Sequence, residues 1–561
     1  MIQMKVILLF ATAMMCVSGA RGETLYNGIE VPERWVFPNR LTREPLAEPP
    51  YLVQRPEVVP IDVGRQLFVD DFLVERSTLR RTHHLAKMHD ASPVIRPDER
   101  SLGAVGMRRA GVFSDGVWFD PKDGLFKAWY FAGRISEKPL EHATALATSR
   151  DGITWEKPDF GVMPGTNVVL PDTDGLRRNS STAWLDHFEK DPAKRFKMFR
   201  VVQRDNPDGK GHVNFIQYST SADGVHWVLS GESTDTGDRT TVFHNPFRGR
   251  WVMGLREGWP EVSRCRGYHD GGDVMSALAF GDPVTRRHAS NLWVGADALD
   301  PAREDLKLRR PASRPYDLVP SQLYNLDCVA YESVMLGLFS IWRGHPADEL
   351  KRPKINEVCV GFSRDGFHWS RPDRRAFYGV SEDPAAWNHG NVQSCGGCCL
   401  VVGDQLYFYF GATGRVEGSA TADPNTTGLA VLRRDGFTSL DAGDEEGSVT
   451  TRPVRFSGSR LFVNAAVPEG RLTVEVLDEG GKVIAPFDRI DCRTIRGDST
   501  KREVRWDSAS DMSALRGKAV RFRFHLTKGS LYAFWVSPDA SGKSGGYVAA
   551  GGPGFTGPRD E

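Results

Sequence analysis

A seven-residue motif, S-x-D-G-x-x-W, recurs along this chain at an almost constant distance, at residues 149–155, 221–227 and 363–369. A worn copy at 433–439 keeps Asp435 and Gly436 but has lost the serine and the tryptophan. Successive copies start 72, 142 and 70 residues apart, so the middle interval holds two periods. A copy near residue 292 has therefore decayed, with Trp293 as its remnant. Self-similarity at a fixed period marks a repeat architecture, and five copies mean five units.

Each unit follows the same local rules. Asp-Gly favours a tight hairpin, because glycine accepts a positive φ without steric penalty. Apolar, β-rich first strands lie at 116–121, 181–186, 241–246, 328–333 and 398–404, each followed at once by a second strand. With the strands around the turn, each unit makes a four-stranded antiparallel sheet, and such sheets repeated radially form a propeller. The expected fold class is all-β: a five-bladed β-propeller over residues 60–445, followed by a C-terminal antiparallel β-sandwich over 446–540. In the second region the repeat gives way to half-buried runs such as Val520 to Phe524 and Leu531 to Trp535. The strand-like segment 63–75 is expected to close the ring by pairing with blade five, since an open ring leaves two exposed edges. Residues 541–561, rich in Gly, Ser and Pro, are expected to form a flexible tail.

Ahead of the repeat, Lys5, the apolar run 6–17 and the small residues Ser18, Ala20 and Gly22 have the layout of a signal peptide over residues 1–22. The protein is therefore expected to be secreted or periplasmic. A membrane span needs about 20 apolar residues, more than this run supplies. Lys plus Arg and Asp plus Glu each number 72, so no charge excess points to nucleic acid or an anionic membrane as a partner. The eight cysteines, less Cys16, leave an odd number for disulfide pairing. Cys395, Cys398 and Cys399 form a CGGCC cluster with three open readings: buried thiols, a disulfide, or a metal site.

Five blades, this turn motif and a trailing sandwich resemble the β-fructosidase-like glycoside hydrolases of families 32, 43 and 68, in particular an exported family 32-like branch. The resemblance covers roughly residues 60–540. It implies a glycoside hydrolase whose funnel is lined by three carboxylates, one from each of the first three blades, acting as nucleophile or base, pKa tuner and acid. The invertase pattern W-x-N-D-P-N-G has only a loose echo in Trp118-Phe119-Asp120-Pro121, so fructose specificity is not implied.

Comparing blades position by position separates scaffold from site. Asp120, Asp186, Asn245 and Glu332 end first strands in blade after blade, which points to a turn role. Three residues before the aligned Trp118, Trp184, Phe243 and Ala330 stand Asp115, Ser181, Thr240 and Asp327, at the expected channel mouth. Asp115 and Asp327 are candidate catalytic acids, or else an Asp-Gly turn and an arginine partner. Glu257, unique to blade three, is the candidate general acid, or a partner of Arg256. Arg134, Arg204, Arg343 and Arg415 share one spacing within the second strands. They either bridge rim acids or, with Arg256, form a guanidinium collar for the carboxylate or sulfate groups of an acidic sugar. Trp259 is a stacking platform or a core residue, and His389, like His244 and His269, is a candidate contact for substrate or metal. No cofactor is expected beyond a structural calcium ion at Asp270 and Asp273.

Three functions fit these residues. The first is a secreted glycoside hydrolase that cleaves an oligosaccharide or polysaccharide with paired carboxylates. The second is a non-catalytic carbohydrate-binding propeller. The third is a uronate lyase with a His or Tyr base, served by the arginine collar.

Overall fold

The computed structural model describes residues 22–97, 109–133, 142–172, 175–206, 208–282, 284, 291–303, 321–344, 352–416 and 424–561. Residues 1–21 of the expected signal peptide, and Arg134, lie outside them. Blade one consists of Arg109–Asp120, Leu125–Gly133, His142–Ser149 and Val168–Pro171. Blade two consists of Leu176–Leu185, Phe196–Asp205, His212–Ser221 and Val228–Thr236. Thr241–Asn245, Arg250–Trp259, Ser263–Gly271 and Leu292–Gly295 make blade three. Blade four has Gln322–Glu332, Val334–Gly344 and Ile355–Ser363, with isolated bridges at Ser370 and Tyr378 in place of a regular outer strand. In blade five, Leu400–Val402 and Gly390–Gln393 flank the inner side of Gln405–Thr413, and Asn425–Arg433 follows. The fold is a five-bladed β-propeller with a C-terminal β-sandwich.

The repeated motif closes the third strand of a blade. Gly152 N donates to Ser149 Oγ at 2.9 Å, while Ile153 N and Thr154 N donate to Asp151 Oδ1 at 2.8 and 2.7 Å. The same three bonds recur around Ser221 and Asp223, and around Ser363 and Asp365. In blade three a short helix, Val274–Leu278, capped by Asp273, stands where the hairpin would be, and Trp293 sits on the outer strand.

The hairpins also join the blades. Trp129 Nε1 of blade one donates to Gly224 O of blade two at 2.8 Å. Trp293 Nε1 of blade three donates to Phe367 O of blade four at 2.8 Å, and Tyr409 OH of blade five donates to Gly152 O of blade one at 2.6 Å. Tyr331 OH of blade four reaches Asp435 Oδ1 of the worn copy at 2.6 Å. The motif tryptophans pack across these seams, Trp155 on Tyr409, Trp227 on Trp129 and Trp369 on Trp293. Gly152 and Gly224 have φ of +74° and +81°, and a Cβ on either would lie 2.6 Å from Tyr409 OH or 2.5 Å from Trp129. Glycine is required there twice over, for the turn and for the neighbouring ring.

Segment 63–75 does not close the ring. Gln66–Leu67 and Val74–Ser77 pair with sandwich strands instead, as does Arg80–His83 just after them. Leu67, Phe68, Val69, Phe72 and Leu73 are all buried, and what takes the segment out of blade five is that its strands pair within the sandwich. Closure falls to the exposed Lys87–Met88, antiparallel to Asn425–Arg433, continued by Ile95 pairing with Thr427.

After Asp435 the chain leaves the propeller through Thr438–Ala442 into the sandwich. There the long strand Arg460–Leu477 pairs through its first half with Gly529–Ser537 and through its second with Arg521–Thr527. Phe522, Phe524 and Phe534 fill the space between them. The buried Arg65 ties the parts together, binding Asp435 at 2.8 Å and Glu332 at 3.4 Å and lying over Trp535.

The expected flexible tail is instead part of the propeller. Tyr547–Val548 pairs with Gln322–Glu332 of blade four. Phe119 N of blade one donates to Ala550 O, Ala550 N to Cys399 O, and Val401 N of blade five to Gly551 O. The tail thus crosses the end of the channel where the inner strands finish. Gly546 and Gly552 reflect close approach, since a Cβ would lie 2.1 Å from Glu332 Oε2 on the first and 1.8 Å from Val401 O on the second.

Gly224→Ala is expected to cost about 3 kcal/mol or more, from backbone strain plus displacement of Trp129. Gly165→Ala, with φ +79° but nothing within 4 Å of the added Cβ, is expected to cost about 1 kcal/mol. Thermal unfolding of the two variants beside wild type checks the difference.

Candidate active site

The inner strands lose their register where they begin, at the end of the channel opposite the tail. Arg109–Asp120 pairs with its neighbour up to Gly111 and again from Gly116, leaving residues 112–115 looped out. Leu176–Leu185 skips Asn179, and Gln322–Glu332 skips Tyr324. A β-bulge bends its strand and re-aims side chains, and here three blades bulge at the same level. Ser114, at φ +62°, holds a conformation uncommon for a non-glycine residue. Its hydroxyl is fixed between Asp327 Oδ2 at 3.2 Å and Asn325 Nδ2 at 2.6 Å.

These bulges open a cavity of about 480 Å³. Blade one contributes Arg109, Phe113, Phe131 and His142, and blade two Arg177, Arg178, Asn179, Gln203 and His212. Asp238 and Arg239 enter from the approach to blade three, and Tyr324 from blade four. Four guanidinium groups therefore face one carboxylate among the lining residues.

Arg109 and Arg178 both stack on Phe131, 4.6 and 4.4 Å from the ring centroid. Burial, reinforced by Arg178, lowers Arg109 to about 10. Arg178 is fully buried, bonded to Ser181 Oγ at 2.9 Å and ion-paired through Nη2 to Asp115 Oδ1. Arg239 lies over the Phe113 ring and donates through Nη2 to Gln393 Oε1 at 2.5 Å. Its Nε and Nη1 have no hydrogen-bond partner among the described residues, and burial lowers its pKa to about 10. Arg266, behind it, donates to Arg239 O at 2.6 Å and is lowered by burial to about 9. Burial alone would raise Tyr324, but Lys354 and Arg239 bring its phenol down to about 8.

Of the residues singled out in the sequence, Asp115 and Asp327 come together at the cavity floor. Asp115 is fully buried, with Oδ2 accepting from Phe113 N at 3.0 Å. Burial raises it to about 7 against the pull of Arg178. Asp327 accepts from Ser394 Oγ at 2.6 Å and Asn325 Nδ2 at 2.9 Å, and burial raises its pKa as well. Glu257 is opposite Cys265 in the blade three ladder and is not among the lining residues. Arg256 pairs with Asp238 at 3.5 Å, and Trp259 packs with Leu41, Val262, Cys265 and Leu292.

The spacing-derived collar does not assemble. Arg343 is buried against Glu357, at 3.3 Å, and Pro301 O. Arg204 lies exposed over Phe215, and Arg415 is exposed beyond the end of its strand. His389 Nδ1 contacts Ser381 O at 3.0 Å, outside the cavity. Counting along the second strands assumed unbroken alternation, whereas the register slips at Arg343. The cavity's own arginines sit at or just before first strands, and the adjacent pair Arg177-Arg178 was the signal available in the sequence.

Asp273 caps a helix, and Asp270 accepts from Tyr268 OH at 3.0 Å. Among the described residues no group of three or more His, Cys, Asp or Glu is placed to hold a metal ion. Cys395, Cys398 and Cys399 are buried free thiols beneath the Ser114–Asp115 bulge, where a Cβ on Gly396 would lie 2.9 Å from Ser114 O. Among the described residues no helix is long and apolar enough to cross a membrane.

No family model and no curated protein matches the chain. Solved structures similar to it include a glycosyl hydrolase from Bacteroides ovatus, 13% identical, covering 66% of this chain and 97% of that one, with a TM-score of 0.35. A family 32 β-fructofuranosidase from Bombyx mori is 9% identical, covering 82% and 94%, with a TM-score of 0.36. A fructofuranosidase from Schwanniomyces occidentalis complexed with fructose is 11% identical, covering 80% and 98%, with a TM-score of 0.35. At such identities and scores, neither substrate nor chemistry passes from those proteins to this chain.

Asp115 gives a pH test. Its pKa in the fold lies near 7 against 3.8 for the free side chain, so the stability carried by the neutral carboxyl is complete at low pH and is lost as pH rises through about 4 to about 7. Asp115→Asn keeps the neutral shape and removes this dependence. The melting temperature of wild type minus that of Asp115→Asn is expected to fall steadily over that interval, measured by differential scanning fluorimetry in matched buffers.

Proposed function

We propose that this protein is an exported carbohydrate-active enzyme that binds an anionic saccharide in the cavity between blades one to four and cleaves its glycosidic bonds. The observation that carries the reading is the charge of the lining: among the described residues Arg109, Arg177, Arg178 and Arg239 stand there against Asp238, with Arg178 paired to Asp115 and Arg177 to Asp205. Guanidinium groups bind carboxylate and sulfate through paired hydrogen bonds. Arg239 supports this reading most directly, being 3% exposed with two donor nitrogens unpartnered among the described residues. A ligand anion would satisfy what the protein leaves unsatisfied, which is otherwise costly in a buried setting. Phe113, Tyr324 and the amides of Asn179 and Gln203 supply the mixture of ring faces and polar groups that a sugar needs.

Glycoside hydrolysis, with Asp115, Glu257 and Asp327 as the acids, is the reading that the sequence favours. It requires one protonated and one ionised carboxyl at the bond to be broken. Asp115 meets the protonation requirement near neutral pH but lies beneath Arg178. Cleavage by that route would need Arg178 to swing onto the ligand.

The test is a binding and cleavage screen of uronate-containing, sulfated and neutral oligosaccharides with the purified mature protein. Anionic ligands are expected to bind and neutral ones not. Arg239→Gln is expected to weaken binding tenfold or more, on the order of 1.4 kcal/mol. Arg415→Ala, outside the cavity, is expected to leave binding within about twofold. Preference for neutral sugars overturns the reading, and tight binding without any cleavage leaves a lectin. Amino-terminal sequencing of the exported protein is expected to begin after Ala20 or Gly22.

A further inference from the structure

We propose that Tyr324, supported by Lys354, transfers the proton in a β-elimination that cleaves uronate-containing chains in this cavity. The proposal rests on the anionic-saccharide reading and adds the reaction and its residue. Tyr324 is the one residue of its inner strand lifted out of register, half-buried and lining the cavity. Lys354 Nζ donates to its hydroxyl oxygen at 2.6 Å and lies 4.2 Å from the ring centroid. Arg239 and Arg264 flank the ring at 5.6 and 5.7 Å, and Asp238 is the acid whose charge opposes them. A phenolate here is held by Lys354 at its oxygen and favoured by the charge of Arg239, and in agreement the phenol is lowered to about 8. Hydrolysis needs two carboxyl groups in reach of the substrate; among the described residues Asp238 lines the cavity, while Asp115 and Asp327 are buried beneath it. Elimination needs a base and a neutralised carboxylate, which Tyr324 and Arg239 provide.

The step balances without water or cofactor. The uronate carboxylate pairs with the Arg239 guanidinium, which must shift from its buried place over Phe113 to meet it, and the pairing makes the hydrogen on the adjacent C5 more acidic. The Tyr324 phenolate takes that proton. The C5 electron pair becomes a C4–C5 double bond while the C4–O4 bond breaks. The departing O4 recovers the proton from the newly formed phenol. One product ends in a C4 unsaturated uronate, the other in a hydroxyl.

Polygalacturonate, alginate and hyaluronan are the probes, incubated with the full-length mature protein in isotopically labelled water. The expected result is a rise in the ultraviolet absorbance of the conjugated double bond, with no label in the products. Tyr324→Phe is expected to lower the rate about 100-fold or more while binding uronate oligomers as before. Lys354→Met acts through Tyr324, so it is expected to move the ascending limb of the pH–rate profile upward by about one pH unit or more. The tyrosinate absorbance that titrates near pH 8 in wild type should move with it and vanish in Tyr324→Phe. Cleavage with label incorporated, or full activity in Tyr324→Phe, overturns the elimination and leaves anionic recognition standing. Binding without cleavage overturns the elimination alone, and failure to bind any of the three polymers overturns both.

Discussion

An aromatic donor reaching from one blade to the hairpin of the next is the contact on which the ring depends. Trp129, Trp293 and Tyr409 each place a hydrogen on a hairpin carbonyl at 2.6–2.8 Å, and Tyr331 does the same to the side chain of Asp435. Each bond contributes only about 1 kcal/mol net. It is made, however, by a large buried ring that also removes apolar surface from water. The hairpin must expose its carbonyl and keep its Cβ away, so Asp-Gly and the seam select one another. One turn therefore serves both as the end of a strand and as the socket of the next blade.

Closing the ring brings five inner strands together, and the protein treats the two ends of the channel differently. At one end the C-terminal chain crosses from blade four to blades one and five and fills the space. At the other, three strands bulge apart and admit Arg109, Arg177, Arg178, Arg239 and Tyr324. Burying several cations so close together costs solvation, and the lowered pKa values of Arg109, Arg239 and Arg266 reflect it. Asp115 and Asp327 on the floor offset part of that charge. The scaffold thus holds a positively biased pocket in a buried wall, where electrostatic contacts are stronger than in water.

Much of the architecture was legible because it repeats. The turn role of Asp120, Asp186 and Asn245 follows from their recurrence, and each accepts from the backbone two residues on. Asp115 and Asp327 lie beside the bulges of their inner strands but do not line the cavity, since alignment of the strands gives a common level and not the face that a side chain takes. What alignment cannot carry is a bulge. One looped-out residue reverses which face every later side chain occupies, and this separates Arg343, buried in blade four, from Arg178, which lines the cavity. Tyr324 gives no signal in a strand that reads as ordinary alternation.

The sequence by itself determined the number of blades and the place of the hairpins at 149–155, 221–227, 363–369 and 433–439, because these rest on local turn chemistry and on a period. Tertiary structure alone decided which segment closes the ring, since 63–75 and 87–88 are both able to pair and only the long-range choice of partner strand distinguishes them. It also decided that the Gly-rich C-terminus is a plug, because glycine serves close approach as readily as freedom. The candidate pocket belongs to the same class: its charge comes from residues far apart in the chain, placed by irregularities in pairing that local preferences do not encode.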